Sequence, residues 1–88
     1  MYKARYSEEI IKKLSKLKKK DSNQYQIVYK KIISILENPE HDYKFLHHDM
    51  KGLSRVHIGS FVLVFIINHP KKTISFEDYD HHDKIYTK

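Results

Sequence analysis

Three groups of residues carry side chains that could do chemistry: Lys51 with Arg55 and His57, the run His47-His48-Asp49, and the closing run His81-His82-Asp83 with Tyr86. Histidine titrates near neutral pH, so two of them can serve as base and acid. Arginine offers a planar fork of donors that fits a phosphate, and tyrosine a ring on which a base can stack. Together these are the parts needed to cleave RNA by attack of a 2′-hydroxyl on its neighbouring phosphate. That reaction asks for a base, an acid for the leaving oxygen, fixed positive charge and an aromatic to hold a splayed nucleobase. It requires no metal.

The paired histidines also invite a metal reading. Neighbouring residues on a strand point to opposite faces, however, and a loop fixes no spacing. Neither a His-Glu-x-x-His run nor any cysteine is present, so no metal and no cofactor are expected. Ser60 lacks the Gly-x-Ser-x-Gly turn of a strained nucleophile, which removes serine catalysis. Taken singly, Arg55 and His57 also read as plain basic residues that an alternating strand shows to solvent.

The element that must position Arg55 and His57 is a hairpin. Phe61-Val62-Leu63-Val64-Phe65-Ile66-Ile67 is an uninterrupted apolar run, the pattern of a strand buried on both faces. Arg55-Val56-His57-Ile58 alternates, and Gly59-Ser60 between them suits a type II′ turn. Setting Ile58 opposite Phe61 puts His57 opposite Val62 and Arg55 opposite Val64. The period of two then gathers Arg55 and His57 on one face over Val62 and Val64, and leaves Val56, Ile58, Phe61, Leu63, Phe65 and Ile67 on the other.

The second face needs helices, and the chain has two. Tyr2 to Tyr6 alternates as a short strand. Ser7-Glu8-Glu9 then starts a helix that runs to about Lys20 with Ile10, Ile11, Leu14 and Leu17 on one side. After Asp21-Ser22-Asn23, the spacing of Tyr25, Val28, Tyr29, Ile32, Ile33, Ile35 and Leu36 predicts a second helix, stopped by Asn38-Pro39. Residues 40–53 show no clear period beyond an anchored piece at Lys44-Phe45-Leu46. Thr73 to Glu77 alternates as a last strand whose register the Asn68 to Lys72 turn leaves open. The expected fold is α+β in the order β-α-α-β-β-β, a helical hairpin packed on a mainly antiparallel four-stranded sheet.

At 88 residues and 40% apolar content, residues 1–88 are expected to form one small domain. The absence of cysteine, of a signal segment and of any apolar run long enough to span a bilayer makes a cytoplasmic protein the expectation. A net charge of +6 points to phosphate backbones or an acidic protein as partner, although lysines also simply solubilise surfaces.

The run from Met50 to Phe65, with its Lys51-Gly52, Arg55, His57 and Gly59-Ser60, together with the ending Asp80-His81-His82-Asp83-Lys84-Ile85-Tyr86, resembles the RelE/ParE toxins of type II toxin–antitoxin systems. The likeness is greatest to archaeal RelE-like members and the YafQ-like branch. There a Lys-Gly, a histidine in the second strand and a C-terminal histidine four residues before an aromatic recur. The resemblance implies a microbial-ribonuclease-like fold, ribosome-dependent cleavage of mRNA and an acidic RelB-like antitoxin as partner, beside the ribosome and mRNA. It implies a catalytic set of Arg55, His57, His82 and Tyr86: Arg55 on the phosphate, His57 as base or 2′-hydroxyl orienter, His82 as acid, Tyr86 stacking. Lys51 and Arg55 would bind RNA.

One position departs from the family. Many RelE members place an arginine after the aromatic that begins the central strand, where this chain has Phe61-Val62. Two other readings stand beside the nuclease: a ParE-like gyrase inhibitor, and a basic module that binds RNA or protein without cutting it.

Overall fold

A computed structural model of the chain describes residues 1–46 and 52–87, so His47, His48, Asp49 and Lys51 lie outside the described residues. The elements in chain order are β1 (Lys3–Tyr6), α1 (Glu8–Lys20), α2 (Ser22–Glu37), β2 (Lys44–Phe45), β3 (Leu53–Ile58), β4 (Phe61–Asn68), β5 (Thr73–His81) and α3 (His82–Tyr86). The sheet order is β1-β5-β4-β3-β2, with β1 parallel to β5 and every other pair antiparallel. The α+β class is borne out, but the sheet has five strands, not four. The fifth is Lys44–Phe45, two residues paired with Arg55 and Ser54, too short for any periodicity to announce it.

The two long helices form where their caps and apolar spacing require. Ser7 Oγ accepts from Ile10 N at 3.1 Å and donates to the Glu77 carbonyl at 2.6 Å, fixing the start of α1 against β5. Asp21 closes α1 through its N–H to the Leu17 carbonyl and opens α2 by accepting from Gln24 N. Ile10, Val28, Ile32, Ile35 and Leu36 meet Ile58, Leu63, Phe65, Ile74, Phe76 and Tyr79 of the sheet in the main core. The expected α1 stripe is narrower than its spacing suggested. Ile10 is buried, whereas Ile11 is 52% exposed.

The β3–β4 register is the one the sequence implies: Ile58 opposite Phe61, His57 opposite Val62, Arg55 opposite Val64. Gly59 has φ +63°, the left-handed conformation that the first turn position of a type II′ hairpin demands. The last strand runs to His81, and its register contains a shift: Phe65 faces Phe76 while Val64 faces Asp78. Glu77 is the extra residue of a β-bulge, and Ser7 Oγ takes its carbonyl. Ile74 and Phe76 therefore face the helices. Beyond the bulge Tyr79 also does so, and Asp78 and Asp80 share the face of Val64 and Val62.

Candidate active site

The face away from the long helices is built on β3 and β4. Arg55 and His57 stand two residues apart on β3, over Val64 and Val62 of β4. The chain end covers part of this face. His82 N donates to the Ser60 carbonyl at 2.9 Å, hooking the start of α3 onto the β3–β4 turn. From there α3 folds back so that Ile85, 3% exposed, joins Val62 and Val64 in a second apolar cluster, with Leu46, Leu53 and Tyr86 packed around it. A helix this short has little stability of its own, so Ile85 is its anchor.

Docking α3 brings Tyr86 to His57. Their rings lie 6.5 Å apart, tilted by 29°, and His82 meets the same tyrosine edge-on at 5.9 Å. His57, Tyr86 and His82 thus form a chain of rings, with Arg55 beside His57. Four of the residues expected at a site come together here. Lys51 lies outside the described residues.

Arg55 is the electrostatically notable member. Its Nε is buried and has no hydrogen-bond partner among the described residues. A buried donor left unmade costs about 1–3 kcal/mol, more when charged, so a fold rarely keeps one without a use for it. Arg55 as a whole is only half-buried, so a phosphate oxygen would be met by its outer guanidinium nitrogens and not by Nε.

Sequence reasoning missed the short helix, and with it the corner at the strand–helix junction. His81 Nδ1 accepts from Asp83 N at 3.2 Å, and the Asp83 carboxylate reaches both His82 Nδ1, at 3.0 Å, and His81 Nδ1, at 3.6 Å. The premise that adjacent histidines point to opposite faces of a strand does not apply, because His81 ends β5 and His82 begins α3. The apolar anchor at Ile85, three residues on from His82, was the available signal.

On the opposite side of the molecule, α1 and α2 leave a groove of about 360 Å³ between them, lined by Tyr6, Ile11, Leu14, Tyr25, Val28 and Tyr29 among others. Lys18 lies over the Tyr25 ring at 5.6 Å. Ile11 and Tyr29, both of which line this groove, are about half exposed.

No protein-family model matches the chain. The toxin RelE4 of Methanocaldococcus jannaschii, so named by assignment, is 44% identical over 89 residues, spanning all of this chain and 94% of its own length. The chain belongs to the RelE toxin family. An uncharacterised protein of Methanosarcina mazei is 48% identical over 98% of this chain and all of its own. In the crystal structure of the intact E. coli RelBE toxin–antitoxin complex, a chain superposes with a TM-score of 0.77. It is 20% identical and matches over 92% of this chain and 96% of its own, a likeness of fold. No helix among the described residues is long and apolar enough to cross a membrane.

Proposed function

We propose that this RelE-family chain is the toxin of a toxin–antitoxin pair and that it cuts mRNA on the ribosome by metal-independent 2′-hydroxyl attack. The observation that carries the reading is the Arg55 guanidinium, its Nε without a partner among the described residues, beside His57 on the face to which Ile85 anchors Tyr86 and His82. Arg55 holds the scissile phosphate, and charge-assisted bonds to it strengthen as negative charge builds in the transition state. His57 takes or orients the 2′-hydroxyl proton. His82 gives a proton to the leaving 5′-oxygen, and Tyr86 offers its ring to the splayed base. Lys51, four residues before Arg55 in the sequence, adds positive charge. Neither a ParE-like gyrase inhibitor nor a charge-only binder requires this set on one face.

The partner is an acidic antitoxin of the RelB kind. A net charge of +6 steers an acidic segment, while affinity comes from apolar burial, and the groove between α1 and α2 offers an apolar seat.

Primer extension on translating ribosomes tests the reading. Wild-type protein is expected to leave new mRNA ends, and His82→Ala to slow single-turnover cleavage by about 10²–10⁴ while keeping ribosome binding. Co-expressed antitoxin should abolish the cuts. Unchanged cleavage by His82→Ala removes the assigned acid. Absence of cuts together with gyrase poisoning favours the ParE-like account.

A further inference from the structure

The corner where β5 becomes α3 gathers three metal-ligating side chains that the proposed cleavage does not use together. His81, His82 and Asp83 each offer one ligand atom, and these atoms all lie within 4.8 Å of one another. Two of the separations are already close to what coordination needs. Around a tetrahedral ion with bonds of about 2.0–2.2 Å, neighbouring ligand atoms stand roughly 3.3–3.6 Å apart. One Asp83 oxygen, Oδ1, is 3.0 Å from His82 Nδ1 and the other, Oδ2, is 3.6 Å from His81 Nδ1, so a turn of this exposed carboxylate is needed to bring a single oxygen to both nitrogens. Rotation about the exposed His81 side chain closes the third distance, at the cost of one exposed hydrogen bond from Asp83 N. The backbone needs no change, since His82 N is already held on the Ser60 carbonyl.

We infer that His81, His82 and Asp83 form a binding site for a divalent transition-metal ion, and that its occupation switches off the RNA face by capturing the His82 imidazole. Two imidazoles and one carboxylate select Zn²⁺ and its borderline neighbours over Mg²⁺ and Ca²⁺, which prefer all-oxygen shells. Solvent on the open side supplies the remaining ligand. With the ion on Nδ1, His82 cannot form the imidazolium that would give the leaving oxygen its proton, and its ring is held in one orientation beside Tyr86, 5.9 Å away. The switch rests on the role proposed for His82. The site itself does not.

Calorimetric titration of Zn²⁺ into tag-free protein in a non-chelating buffer tests the site, with the visible absorption of Co²⁺ as a second readout of coordination. One equivalent is expected to bind wild-type protein. Losing a ligand should cost at least the roughly tenfold that losing a mere supporting contact costs, so His81→Ala and Asp83→Asn should each weaken binding by about tenfold or more. The double variant His47→Ala/His48→Ala, which alters the chain's other His-His-Asp run, should keep the wild-type affinity. Wild-type Zn²⁺ affinity in both His81→Ala and Asp83→Asn overturns the site, as does loss confined to His47→Ala/His48→Ala. In the cleavage assay, Zn²⁺ should inhibit wild-type protein and leave His81→Ala resistant, while Mg²⁺ inhibits neither. Equal inhibition of the two proteins overturns the switch. Metal-free wild-type protein that cuts no RNA overturns the nuclease reading and the switch with it, while the titration alone still decides the site.

Discussion

At the residue scale the site sets function against stability. Arg55 Nε is buried with no partner among the described residues, a state that costs free energy. Replacing Arg55 by Met keeps much of the stem that packs over Val64 and removes the orphaned donor. Arg55→Met should therefore stabilise the fold by about 1 kcal/mol while abolishing the hold on phosphate. Urea unfolding and RNA cleavage, measured on one preparation, check both halves. A variant less stable than wild type would show that the guanidinium is satisfied in solution. The pairing of Arg55 with His57 on one face was legible because a two-residue turn admits one register and the period of two does the rest. Their approach to Tyr86 was implied by the family resemblance alone, since the residues by themselves do not say how α3 folds back.

At the element scale α3 decides whether there is a site. Five residues cannot hold a helix in water, so Tyr86 and His82 keep their places only while Ile85 is buried against Val62 and Val64. Ile85→Ala should undock α3, costing about 2 kcal/mol, the low end for a buried isoleucine because the end can relax into solvent. Amide exchange at residues 82–86 should rise sharply while β3 and β4 stay protected. Uniform protection in the variant would mean that the Ser60 hook suffices. The same packing explains the departure at Val62. This residue is fully buried beneath the end of the chain, so an arginine here would have to push α3 away. Caps and apolar spacing fixed the two long helices in the sequence, because each signal is local. The bulge at Glu77 was hidden, because it answers to tertiary demands: Ser7 must reach its carbonyl, and Tyr79 must return to the core.

At the scale of the whole molecule, one cation joins the helical layer to the strand that leads into the site. Lys13 Nζ donates to Asp78 Oδ1 at 2.7 Å and to Asp80 Oδ2 at 2.8 Å, with Glu9 at 3.4 Å. These two carboxylates follow the bulge, past the last residue of β5 that β1 pairs, and Asp80 also accepts from His81 N, one residue before α3. Burial pulls the Lys13 ammonium toward neutrality, but hydrogen bonds to Asp78 and Asp80 outweigh it and hold its pKa above the usual lysine range. For Asp80, burial pushes the carboxyl up, while Lys13, the His81 N–H and Lys84 bring it below the usual carboxylate value. The signs define a window. The raised lysine contributes fully below its unfolded pKa of about 10.4 and is lost only as pH rises through the folded value. The lowered carboxyl contributes above its unfolded pKa of about 3.9 and is lost as pH falls through the folded one. Lys13→Met should therefore cost a nearly constant amount between about pH 5 and pH 9, roughly 2 kcal/mol for a partly buried triad, between the values for exposed and buried pairs. Below about pH 3.9 the gap between the two proteins should shrink as Asp80 protonates in both. Urea midpoints at neutral and acid pH measure it, and a gap as wide in acid as at neutrality would mean that Lys13 acts by packing its stem and not by its charge. Because the clamp lies one residue from His81, the variant should also speed amide exchange in α3 at neutral pH, linking the helical layer to the placement of His82.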